Sequence, residues 1–286
     1  MDNAQFKMNP SEVQLAVCGW DEVCFWDLSD TSLIPPEKVW TWKAHDRQDL
    51  PLEFRDWFNT TDDCKPFDRG NRILVTSSGS GIALIDRVKD KVLFYGRASN
   101  CHSADLLPHN RIAAAASHRD DGSGDRLIIF DIFQSDHELY SAELFCGHGV
   151  IWDDERQCLW ALSNHDIRMY TLEDWETAAP RLNHTDTISL PEKGGHDFLP
   201  VPGTSYISVT TAYHCWFFDR DTKQLSPHPY LGDTPHVKCI SHHPVTGQIA
   251  YIQASEKCWW SERVSFINPE EVIYIPGEHF YKVRWV

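Results

Sequence analysis

The chain has 286 residues, 42 of them acidic and 26 basic, for a formal net charge of −16. That charge argues against nucleic acid and an anionic membrane as partners. No apolar run approaches the ~20 residues of a membrane span, the polar stretch Met1 to Met8 predicts no leader, and nine cysteines without a CxxC pair predict reduced thiols in the cytoplasm.

In chain order, short apolar segments alternate with clusters of Ser, Asp, Asn, Gly and Pro, the pattern of strands and turns. Residues 13–20, 22–28 and 38–44 read as three strands, with a polar turn at 29–36. An insertion at 45–62 breaks the rhythm and contains a helix-like stretch at 52–58. Units of four strands then recur at 63–98, 101–144, 147–191, 195–232 and 235–277. The last strand is expected at 185–190 in the unit 147–191, and at 227–231 in the unit 195–232. One strand, 279–286, is left over.

Five strands of this series are opened by a histidine: His102, His148, His196, His236 and His279, spaced 40–48 residues apart. A repeat of about 40–50 residues made of short strands marks a β-propeller blade. The first unit lacks one strand and the chain ends with a spare one. The C-terminal strand is therefore expected to complete the blade begun by residues 13–44. The expected fold is all-β, a single domain over 1–286. It is a six-bladed β-propeller closed by the C-terminal strand, with a seven-bladed ring or a β-sandwich assembly as alternatives. The third strands end alike, in Asp27, Asp86, Asp131, Asp219 and Asn268, where a short polar side chain can accept from the following turn.

Blade topology sorts the loops onto two faces. The inner strand starts at one face, and the turn joining strands two and three returns there. His45, His102, His118, His148, His165, His196, His214, His236 and His279 all map to this histidine face, as does the insertion. Function favours loops held by a rigid scaffold.

Imidazoles converging at one end of a channel suit a divalent ion with open positions, so His102, His148, His196, His236 and His279 are the expected metal ligands, for Mn, Zn, Fe or Ni. The competing reading is a packing role repeated with the fold. His118, His165 and Tyr213 are candidates for proton transfer and Arg119 for gripping a carboxylate. Trp20 and Trp259 offer flat surfaces to a sugar ring, beside Arg55, His214 and Lys257. Arg47 and Trp260 fall on the same face. The insertion reads as a lid or as a plug.

The segments Asn100-Cys101-His102-Ser103-Ala104-Asp105 and Gly147-His148-Gly149-Val150, with the closing His279-Phe280-Tyr281-Lys282-Val283-Arg284-Trp285, resemble a family of single-domain bacterial β-propeller proteins without an assigned activity. More remotely, the chain is similar to propeller-fold polysaccharide lyases such as oligogalacturonate and rhamnose–glucuronate lyases. That resemblance implies a histidine-rich centre, with a metal in the oligogalacturonate enzymes, that supports β-elimination of a uronate-containing sugar. Those enzymes have seven blades, against the six counted here. The expectation is a lyase-like enzyme for a small saccharide or sugar acid, against a non-enzymatic ligand- or protein-binding scaffold.

Overall fold

The computed structural model describes residues 13–30 and 32–286; the stretch Met1 to Met8 lies outside the described residues. Six antiparallel four-stranded sheets form the molecule. From the axis outward, blade 1 is Lys282–Trp285, Gln14–Gly19, Glu22–Asp27 and Glu37–Trp42. Blade 2 is Thr61–Phe67, Arg72–Ser77, Gly81–Asp86 and Lys91–Arg97. Blade 3 is Cys101–Leu107, Arg111–Ala116, Arg126–Asp131 and Glu138–Glu143. Blade 4 is Gly149–Asp153, Cys158–Leu162, Asp166–Glu173 and Arg181–Ser189. Blade 5 is Asp197–Pro200, Tyr206–Thr210, Cys215–Asp219 and Gln224–Pro227. Blade 6 is Val237–His242, Ile249–Gln253, Arg263–Ile267 and Glu271–Tyr274.

The six inner strands touch their neighbours all the way round. Closure comes from the C-terminal strand, which pairs antiparallel with the first strand (Leu15 with Trp285, Val17 with Val283). A closed ring leaves no free inner edge for stray strand pairing. Side chains latch each inner strand to the next. Asp105 accepts the Trp152 N–H, Asp197 the Ile240 N–H, and Ser241 the Trp285 N–H. Alternation along the strands sends apolar residues into six clusters, one between each pair of adjacent blades.

The expected turn chemistry is present. Asp27, Asp86, Asp131 and Asp219 each accept a backbone N–H two or three residues on, at 2.8–2.9 Å. The nine cysteines are unpaired. No helix among the described residues is long and apolar enough to cross a membrane.

Four boundaries differ from the reading of the sequence. The outer strand of blade 5 is Gln224–Pro227, because it pairs from directly after the tight turn at Asp219, and Pro229 has no N–H to extend it. The outer strand of blade 4 starts at Arg181 and carries a bulge against its neighbour. The closing strand is shorter than 279–286, beginning at Lys282. The insertion ends at residue 60, since Thr61 and Asp62 already belong to an inner strand. It buries Leu50, Phe54 and Phe58 against blades 1 and 2, with Phe58 edge-on to Trp42, so it is a plug of the rim rather than a lid.

Candidate functional site

Three inner strands open with a β-bulge. Register slips between Thr61 and Asp63, between Cys101 and Ser103, and between Val237 and Cys239. The bulged residues are Asp62, His102 and Lys238. A bulge leaves one residue out of the ladder and re-aims its side chain, and here the three side chains meet neighbouring groups at the channel mouth. His102 Nδ1 lies 3.0 Å from Asp62 Oδ1, at ion-pair distance though not aligned as a hydrogen bond. Asp62 also accepts the Ser78 N–H.

His148 and His196 stand one residue before the inner strands of blades 4 and 5. His148 Nδ1 is 2.9 Å from the Cys146 carbonyl, so Nδ1 carries the hydrogen and Nε2 the lone pair. His196 Nε2 lies 3.0 Å from Lys238 Nζ and accepts from it. Burial, then the Lys238 charge, holds His196 well below the usual imidazole range, so the ring is neutral at pH 7. Burial and then Lys282 lower Lys238 to about 8. Among the described residues no carboxylate lies within ion-pair distance of Lys238, although it carries a charge at neutral pH.

Eight rings run across this face in one arc. His196 stacks on His148 at 4.9 Å, and His148 on His102 at 4.2 Å. His102 approaches Tyr281 at 6.3 Å, and Tyr281 meets Trp259 edge-on at 5.5 Å. Trp259 stacks on Trp20 at 6.0 Å, Trp20 on His279 at 4.7 Å, and His279 meets Trp260 at 3.9 Å. Trp20 and Trp259 are 46% and 40% exposed. Gly19 permits the approach that seats His279, since a Cβ there would stand 1.8 Å from the His279 carbonyl oxygen.

Below the arc a layer of buried charge crosses the channel. Arg284 donates to Asp63 at 2.8 Å and, through two nitrogens, to Asp197 at 2.6 and 3.0 Å. Lys282 Nζ is 3.1 Å from Asp197 and 3.3 Å from the His102 carbonyl. All four side chains are 1% exposed or less. Burial opposes the ionised form of each carboxylate, but Arg284 and Lys282 outweigh it and hold both below the usual range. On the far side of this layer a cavity of about 360 Å³ opens at the opposite mouth. Phe67, Trp152, Pro200, Trp285 and the Arg284 stem line it.

The predicted site residues are thus partly assembled. Of the five expected ligands, His102, His148 and His196 come together, but as a face-to-face stack that does not gather their nitrogens round one point. His236 packs on Tyr213 at 5.9 Å, and His279 sits among the tryptophans. His118 and His165 flank Phe145 on an outer loop, each 6.0 Å from it. His118 also pairs with Asp125 at 2.8 Å. His214 pairs with Glu192 at 3.1 Å. Arg119 lies 3.4 Å from Asp121, Arg55 donates to the Leu50 carbonyl inside the insertion, and Lys257 is on an exposed turn held by Ser255. Arg47 points away from the site, to Asp49 and to Asp90.

A family model described as a family of unknown function, DUF6528, matches residues 31–286. The chain belongs to that family. A search of curated proteins finds no match. Among solved structures, the chain is similar to the crystal structure of the Myceliophteria thermophila Cps50 (Swd1) beta-propeller domain. The TM-score is 0.51 and the identity 14%, over 87% of this chain and 94% of that one. At that identity the likeness bears on the fold alone.

In this DUF6528 chain the residues that reasoning from sequence passed over are Asp62, Lys238, Tyr281, Lys282 and Arg284. One signal was available. Lys282 and Arg284 alternate with Val283 and Trp285 on a strand that closes the ring, which puts two charges on one face of an inner strand. For Asp62 and Lys238 no signal existed, because a bulge is a property of the pairing between two strands.

Proposed function

We propose that the histidine face is the site of an enzyme acting on a small ring-bearing carboxylate, such as a sugar acid, by removing a proton beside the carboxylate and eliminating a β-substituent. The observation that carries this reading is the Lys238–His196 contact at 3.0 Å. An incoming carboxylate draws the Lys238 ammonium to itself. That neutralises the carboxylate, acidifies the adjacent carbon–hydrogen bond, and releases the lone pair of His196 Nε2 to take the proton. The bond to the leaving oxygen breaks as the carbon–carbon double bond forms, and the released alkoxide is protonated from water at the mouth. The exposed faces of Trp259 and Trp20 give a sugar ring a surface to lie on. Elimination is the reaction expected from the sequence, and nine unpaired cysteines fit a reducing, cytoplasmic setting.

The test is incubation with uronate-containing oligosaccharides, reading the ultraviolet absorbance of the new carbon–carbon double bond. Turnover that falls by roughly 100-fold or more in His196→Ala supports the reading. A wild-type protein that eliminates none of a panel of galacturonate, glucuronate and rhamnose–glucuronate substrates contradicts it. A second reading, a ligand-binding scaffold, draws on the cavity at the opposite mouth. It predicts ligand binding that is indifferent to His196→Ala and weakened by Trp152→Ala.

A further inference from the structure

We propose that His118, Asp125 and Cys146 hold one divalent transition-metal ion of the zinc class at the rim of the histidine face. Their donor atoms all lie within 4.8 Å of one another, the sole group of three or more His, Cys, Asp and Glu side chains so gathered among the described residues. Imidazole, carboxylate and thiolate form a donor set that zinc accepts in four-coordinate sites, with bonds of about 2.0–2.3 Å. Three protein ligands leave a fourth position, and His118 is about half exposed, so that position opens to solvent.

The surrounding chain holds this spacing. Asp125 and Cys146 both adopt left-handed backbone, with φ of 58° and 47°, a conformation that costs a residue bearing a Cβ. Asp125 Oδ1 accepts the Cys146 N–H at 2.7 Å, which leaves Oδ2 to face His118. The Asp125 N–H donates to the Ser117 carbonyl at 3.1 Å. Gly124 makes this turn possible, since a Cβ there would stand 1.8 Å from the same oxygen. On the far side of the imidazole, Asp120 Oδ1 is 3.6 Å from His118 Nε2. A carboxylate in that position favours the hydrogen on Nε2 and frees Nδ1 as the ligand.

His118 Nδ1 and Asp125 Oδ2 lie at hydrogen-bond distance, 2.8 Å. Binding displaces any hydrogen between them and the Cys146 thiol proton, and opens the pair to about 3.3 Å, the edge of a tetrahedron built on such bonds. No oxidation or reduction is involved. The Cys146 carbonyl bonds His148, and Ser117, which holds the Asp125 N–H, places its hydroxyl 3.4 Å from the same imidazole, so the cluster adjoins the channel at His148.

The experiment uses the full chain, purified without an affinity tag and stripped with a chelator. Zn²⁺ is titrated by calorimetry and Co²⁺ by absorbance. The expected result is one equivalent bound, thiolate-to-cobalt charge-transfer absorption, and binding weaker by roughly tenfold or more in Cys146→Ser and in His118→Ala. His118 is exposed, so its variant retains the fold, which circular dichroism reads. Absence of saturable uptake, or equal affinity in both variants, overturns the proposal. So does uptake that survives both changes and is lost in His102→Ala, which locates the ion among the stacked imidazoles. The readout is the ion itself with no sugar present, so its outcome is independent of the elimination chemistry.

Discussion

Lys238 is ammonium below about pH 8, and the groups facing it are Lys282, His196 and the histidine stack beyond. Raising the pH through that value removes the charge that would hold a carboxylate. Affinity for a sugar acid is therefore expected to fall as pH rises from 7 to 9, and Lys238→Arg should move the fall to higher pH; calorimetry at each pH reads both. A second pair of residues titrates in the opposite sense. His228 accepts two backbone N–H groups at Nδ1, at 3.1 and 3.3 Å. His242 Nε2 is 3.0 Å from Ser208 Oγ. Burial, with His242 adding to it, lowers His228 to about 3, and burial lowers His242 to about 4. Below the unfolded value of ~6.5 the unfolded chain takes up protons that the folded one refuses, so each group costs up to about 1.4 kcal/mol per pH unit. Stability is full above that pH and declines toward pH 4. A thermal-melting series should show this slope, and His228→Asn with His242→Gln should make it shallower, with buried His148 and His196 supplying the remainder; equal slopes would contradict the assignment.

At the scale of the element, the closing strand carries both the ring closure and the charge layer. Arg284→Met leaves Asp63 and Asp197 buried with Lys282 alone, and is expected to cost about 3–5 kcal/mol. Replacing Arg284, Asp63 and Asp197 together by apolar residues of similar volume should cost less than the single change, which denaturant unfolding measures. The insertion behaves as core: Phe58→Ala should cost about 3–5 kcal/mol without changing ligand binding at the histidine face. The elements were legible in the sequence because each blade repeats the same phase of apolar residue and turn, five of the six with a histidine, and the spare C-terminal strand announced its own place. The site was legible only by face. Topology says at which end of the channel a loop lies and nothing of its distance from the axis, so Arg47 and Arg55 were counted with the site although they bond within and beyond the insertion. His236 and His279 share the phase of the stacked three, yet a tyrosine packs on the first and two tryptophans on the second. Asp62 and Lys238 reach the mouth through bulges, which single-strand patterns do not encode.

The whole molecule is a ring with two unlike mouths and a wall of buried charge between them. One mouth offers an amine, a neutral imidazole and an arc of rings; the other offers a cavity where Phe67, Trp152 and Trp285 stand beside Lys65, Asp105 and Arg284. Because the Arg284–Asp63–Asp197–Lys282 layer blocks the axis, a ligand at one mouth does not reach the other through the channel. The net charge of −16 repels long polyanions, so the guest proposed for the place beside Lys238 is a small anion. The most direct measurement is calorimetric titration of galacturonate into the wild type and into Lys238→Met at pH 7. The account predicts saturable binding at the wild type and a loss of roughly tenfold or more in the variant, equivalent to about 1.4 kcal/mol or more. Equal affinity in the two proteins would contradict it.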